Sequence, residues 1–146
     1  MKHFYEDIDG WFGQYDEAMC RHFVDMFDSG SHFVEIGSYK GRSACCMSVE
    51  IINSNKDIKF DCVDTWGGSR EHSGVPEVRN GTLFETFLHN VEPIKHKINN
   101  IHKMTSVEAS KLYENNSLDF VFIDASHEYK DVLNDIIHWT PKVKIG

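Results

Sequence analysis

The sequence predicts an α/β fold, a parallel sheet with helices on both faces. Two observations carry this. Helix-spaced and strand-like segments alternate along the whole chain, and such alternation builds right-handed crossovers between parallel strands. The stretch "LDFVFIDAS" (118–126) is a continuous apolar run, as expected of a strand buried on both faces.

The elements follow in order. "YDEAMCRHFVDMFDS" (15–29) places Met19, Phe23, Met26 and Phe27 on one helical face, and Ser29-Gly30 ends it. "HFVEI" (32–36) is a short strand. "GRSACCMSVEIINS" (41–54) is a helix whose small first-turn residues permit close packing on a sheet. "IKFDCV" (58–63) is a second strand that ends at Asp64. The polar segment after it, "DTWGGSREHSGVPE", carries three glycines and a proline and reads as an irregular loop. "GTLFETFLHNVE" (81–92) resumes helical spacing through Leu83, Phe87, Leu88 and Val91, with Pro93 as its stop. "INNIHKM" (98–104) is a weak strand, and "SVEASKLYEN" is a helix that Ser106 opens with a Ser-x-x-Ala variant of a capping sequence. After the 118–126 strand, "EYKDVLNDIIHW" puts Val132, Leu133, Ile136 and Ile137 on one stripe.

At 146 residues the chain is a single domain, 1–146, in which residues 1–30 form an N-terminal segment and helix. No window approaches the roughly 18 apolar residues of a membrane span, and the acidic, aromatic start "MKHFYEDIDGWF" is no secretory signal. A formal charge of -8 argues against an electrostatic nucleic-acid partner and favours a small-molecule substrate. Cys20, Cys45, Cys46 and Cys62 contain no C-x-x-C pair and read as reduced, structural thiols of a cytoplasmic protein. The nine histidines offer no H-x-x-x-H spacing, so no zinc site is expected.

Ligands of parallel sheets bind at the carboxyl ends of the strands, here 35–39, 64–66, 104–106 and 124–127. The first of these ends holds a glycine loop, "FVEIGSYKGRSA" (33–44). It lacks the lysine and length of a phosphate-binding P-loop, and Tyr39 stands where a dinucleotide loop needs its second glycine. The remaining pattern, E-x-G-x-x-x-G, suits a ligand with an amino-acid end and no phosphates. Glycine lets the main chain lie against the ligand, and a nearby carboxylate attracts an ammonium group. Asp64 ends the second strand in position for a ribose, because a carboxylate can accept from both hydroxyls of a cis-diol. Trp66 could pack on the sugar or base.

These residues resemble the class I S-adenosylmethionine-dependent methyltransferases. The closer resemblance is to the small-molecule O-methyltransferase-like group of macrocin and cephalosporin-hydroxylase type. "VEIGSYKGRSA", "VDTWGG", "DFVFIDASHEYKDVLNDI" and "PKVKIG" carry it, from about Phe33 onward. The resemblance implies a Rossmann-like sheet, S-adenosylmethionine as cofactor and methylation of a small-molecule hydroxyl; the alternative is a non-catalytic binding module. It implies that Glu35, Gly37, Ser38, Tyr39, Gly41 and Ser43 hold the methionine part of the cofactor. Asp64, Thr65 and Trp66 would meet the ribose, Thr105 and Ser106 the adenine, and Asp124 the methyl end. In related proteins the aspartate and histidine of "IDASHEY" bind a divalent metal or act as general base. Asp124 and His127 are therefore the catalytic candidates, with Asp124 also a ligand for Mg²⁺.

Other readings of these residues are plainer. Asp124 could cap the following helix, although Ser126 could do so instead, and His127 could equally be a surface residue of that helix's first turn. Glu71 and His72 read as a solvated loop with a possible place at the substrate mouth. Asp131 and Asp135 read as a solvated face or an inter-element hydrogen bond. Trp11 and Phe12 read as a lid or as a docked N-terminal segment. Only four strands can be counted where the family has seven, so the C-terminal strands are expected to be missing. The exposed fourth strand then suggests a homodimer contact.

Overall fold

The computed structural model describes residues 1–145. Its sheet has four strands, β1 (His32–Ile36), β2 (Lys59–Asp64), β3 (Asn100–Lys103) and β4 (Phe120–Ile123), in the order β3-β2-β1-β4 and all parallel. The chain moves outward from β1 to β3 and then returns to the other side of β1. The order therefore reverses between β1 and β4, where the diverging connections leave a crevice.

Helices cover both faces, as expected. On one face lie α1 (Gln14–Met26), α2 (Arg42–Ser54) and α4 (Leu83–Val91), and they share a core with Phe33, Phe60 and Cys62. On the other face α5 (Ser106–Ser110) and α6 (Tyr129–Trp139) enclose a smaller core of Val34, Ile36, Val63, Ala109, Leu118 and Trp139. The four cysteines are all buried and free. The loop after β2 contains one more short helix, α3 (Pro76–Asn80), which Pro76 opens at its first position.

Three expectations change. The core side of α1 is Cys20 and Val24, whereas Met26 is 61% exposed. Phe27 lies past the helix end, and Phe23 stacks on Phe120 with ring centroids 4.4 Å apart. The opening of α5 is set by Thr105, not Ser106: Thr105 Oγ1 accepts from the Glu108 amide, and Glu108 accepts from the Thr105 amide. Most consequential is α6. Asp135 and Trp139 are its buried residues, while Leu133, Ile136 and Ile137 are exposed. Beyond β4 the chain begins to run alongside again: Val143 bridges Leu118 in parallel, and Lys144 N donates to Leu118 O.

Residues 1–13 lie across α2 and the glycine loop. Arg42 donates to the carbonyls of Ile8 and Phe12, and Tyr5 is buried with its hydroxyl on Glu17. Lys40, itself buried, joins Asp9 of this segment to Glu77 of α3. The reading as a docked segment is correct for Phe12, which is buried, whereas Trp11 stays 80% exposed at the cleft.

Candidate functional site

The glycine loop is shaped by its neighbours. Gly37 has φ +95°, and a Cβ there would stand 2.6 Å from Ala125 Cα and closer still to the Asp124 carbonyl oxygen. Gly41, at φ +88°, would meet Val91 and Phe87 of α4. The two glycines thus let the β4 end and α4 close on the loop, a packing reason that the ligand argument did not include. Trp66, also at positive φ, lies buried between Phe84 and Phe87 and donates its indole N–H to Tyr39 O at 2.8 Å. It supports the loop from below and lines neither large cavity.

Two cavities meet at this point. The first, about 470 Å³, runs from Gly37 past Asp64 and Thr65 to Met104, Thr105 and Ser106. The second, about 650 Å³, is walled by Trp11, Phe12, Met19 and Phe122 and by Glu71 and His127. Gly37, Tyr39, His72, Asp124 and Ala125 line both. The junction therefore sits at the β1–β4 crevice that the strand order creates.

Asp64 is the anchor of the first cavity. Its Oδ2 accepts from Tyr39 N at 2.8 Å and its Oδ1 from Trp66 N at 2.7 Å. Burial pushes its carboxyl up, and the two amides pull against that shift. Each oxygen keeps a further acceptor site for a cavity ligand. Ser38 donates to Glu35 at 2.7 Å, and both are buried beneath the loop. Glu35 and Ser43 line a small apolar cavity with Met19 and Phe60, and Ser43 also reaches the second cavity. Burial pushes Glu35 up to about 7, against bonds from Ser43 and Ser38. The carboxylate expected to meet an ammonium group is thus an internal strut of the loop.

At the junction Asp124 is half exposed, and burial of the remainder raises its carboxyl. It caps no helix. Ser126 Oγ accepts from Glu128 N at the start of α6, which leaves Asp124 free. His127 lies between two acids, with Nδ1 3.3 Å from Glu71 and Nε2 3.7 Å from Asp124. His72 stacks on Tyr39 with centroids 4.7 Å apart, and Trp11 lies 5.5 Å from His72. Glu71, His72 and Trp11 therefore belong to the cavity walls. The sequence left Glu71 and His72 between a solvated loop and the cavity mouth, and Trp11 between a lid and a docked segment, because their contacts join segments far apart in sequence.

The metal implied for Asp124 finds no ligand set. Asp124, His127 and Glu71 form a line along the imidazole, not a cluster converging on one point. Among the described residues, the group of metal-type ligands that does converge is His3, Glu17 and Glu50. Arg21 already bridges its two carboxylates. The residues around Asp124 therefore do not fit Mg²⁺.

The comparisons with known proteins agree with this geometry. A family described as a methyltransferase domain matches residues 34–146. The chain is 28% identical over 110 residues to the uncharacterized protein y4gI of Sinorhizobium fredii, which covers 75% of this chain and 12% of that one. Among solved structures it superposes on a Staphylococcus aureus protein assigned as a caffeoyl-CoA O-methyltransferase. That match has a TM-score of 0.65 at 14% identity, over 95% of this chain and 56% of the other. A Thermotoga maritima S-adenosylmethionine-dependent O-methyltransferase gives 0.63 at 13% identity, over 96% and 44%. Phosphoethanolamine N-methyltransferase 2 of Haemonchus contortus, solved with S-adenosyl-L-methionine, gives 0.58 at 18% identity, over 92% and 26%. The chain thus spans little more than half, or less, of these relatives. With its parallel sheet, its glycine loop and its family match over residues 34–146, this chain belongs to the methyltransferase-domain family and has the Rossmann-like class I fold.

Proposed function

We propose that the chain binds S-adenosylmethionine in the first cavity, and that the protein methylates a hydroxyl of a small molecule held in the second. The observation that carries this reading is the meeting of the two cavities at Gly37 and Asp124. A donor in one and an acceptor in the other would face each other at one point, and methyl transfer asks for little beyond that alignment and removal of a proton.

Bound there, the cofactor supplies a methyl group made electrophilic by its sulfonium, which departs as a neutral thioether when the acceptor oxygen takes the methyl. The protein's own residues position and deprotonate. Asp64 accepts from the ribose hydroxyls, and Thr105 and Ser106 border the purine. The main chain of Gly37–Tyr39 lies along the methionine part, with Ser43 beside it. Asp124 or His127 takes the acceptor's proton; the raised carboxyl of Asp124 makes it a better base than an ordinary aspartate. Glu71, on the far nitrogen, would stabilise the His127 cation that results.

Asp124→Ala should slow turnover about 100-fold or more while leaving S-adenosylhomocysteine affinity nearly unchanged. The assay is S-adenosylhomocysteine release across a panel of hydroxylated acceptors, and full activity in the variant would remove Asp124 from the mechanism. Because the chain spans 56% or less of the solved relatives described above, a non-catalytic binding module is the second reading. Cofactor binding without methyl transfer to any acceptor in the panel would favour it.

A further inference from the structure

Helix α6 presents the opposite face to the one its sequence suggests. Its apolar Leu133, Ile136 and Ile137 face outward, and the helix turns Asp135 inward at 5% exposure. Trp139 fixes this roll. It is fully buried, packs on Tyr113 with centroids 5.4 Å apart, and donates its indole N–H to Ser106 Oγ at 2.7 Å. Asp135 lies one turn earlier on the same side and, with Asp131 and Asn134, lines the first cavity beside Ser106.

The surroundings of Asp135 provide little for a carboxylate. Burial and Asp131 oppose its charge, while Ser106, as a hydrogen-bonding neighbour, and His138, by its charge, favour the carboxylate. Among the described residues no lysine, arginine or backbone amide donates to it, and burial raises its carboxyl. A buried acceptor with unfilled capacity, aimed into a ligand cavity, is destabilising unless a ligand supplies N–H donors.

The proposed function says which donors those are. With the ribose at Asp64 and the sulfur toward Gly37 and Asp124, the purine extends over Met104 and Thr105 toward α6. We propose that Asp135 accepts a hydrogen bond from the exocyclic amino group of the adenine and so selects a 6-aminopurine cofactor. This rests on the cofactor assignment above and adds a residue that reads the base.

The test is calorimetry with S-adenosylhomocysteine and S-inosylhomocysteine, whose C6 carries a carbonyl oxygen in place of the amino group. The protein should bind the adenosyl compound about tenfold or more tightly, since the oxo group would bring acceptor against acceptor. Asp135→Asn, close in shape and without the buried charge, should narrow the ratio to about threefold or less, because its amide can donate to the carbonyl. Equal binding of both ligands by the unaltered protein, or an unchanged ratio in Asp135→Asn with an unchanged melting temperature, overturns the role of Asp135. Absence of binding by either ligand overturns the cofactor assignment itself, so the two failures are distinguishable.

Discussion

Replacing Gly37 by alanine perturbs the point at which the two cavities meet. At φ +95° any residue with a Cβ is strained, at about 1–2 kcal/mol. The new methyl would also stand 2.6 Å from Ala125 Cα and against the Asp124 carbonyl. Both are main-chain atoms that no rotamer change can move, so overpacking adds about 1–3 kcal/mol. The sum, about 2–5 kcal/mol, is a large part of a domain's typical stability of roughly 5–15 kcal/mol. Relief requires the 124–125 segment to move away from β1, which also widens the junction. Urea denaturation should show the stability loss, and calorimetry should show weakened S-adenosylhomocysteine binding. Gly74→Ala is the control, because its Cβ would meet nothing within 4 Å. If Gly37→Ala proves as stable as Gly74→Ala, the packing account of this glycine is wrong.

Two further substitutions probe the acids around the loop. Asp64→Ala removes the ribose acceptor and should weaken S-adenosylhomocysteine binding about 10- to 100-fold by calorimetry; an unchanged affinity would place the sugar elsewhere. Glu35, raised to about 7 from 4.5, favours the folded state at low pH. Its carboxyl stays protonated in the fold while the unfolded chain has already ionised, so stability falls as pH climbs from about 4.5 to 7 and remains reduced above that. Between pH 5 and 8 the unaltered protein should lose about 2.5 kcal/mol more than Glu35→Gln in urea unfolding. Equal pH dependence of the two would show that Glu35 is charged in the fold.

Much of the fold was legible because the signals were local. Apolar runs such as Phe120–Ile123 and the turn glycines fix strands and connections without reference to distant residues. The roll of α6 was not legible, since periodicity identifies an apolar stripe but not what covers it. Here Trp139, hydrogen-bonded to Ser106 in α5, outweighs Leu133, Ile136 and Ile137. At the site, Asp64 and Asp124 stood at strand ends and could be named. Glu71, His72 and Asp135 reach the cavities only through long-range packing. Glu35 and Trp66 were assigned to ligand contact by pattern, but they brace the loop, with Glu35 on Ser38 and Trp66 on Tyr39 O. A motif records which residues surround a ligand without saying which of them touch it.

The central claim is that the β1–β4 crevice holds S-adenosylmethionine with its methyl directed into the second cavity. A crystal structure of the S-adenosylhomocysteine complex tests it most directly. The account predicts ribose hydroxyls on Asp64, the base between Thr105 and Asp135, and the sulfur at the Gly37–Asp124 junction. A ligand bound outside this crevice, or one whose sulfur faces away from Asp124, would contradict it.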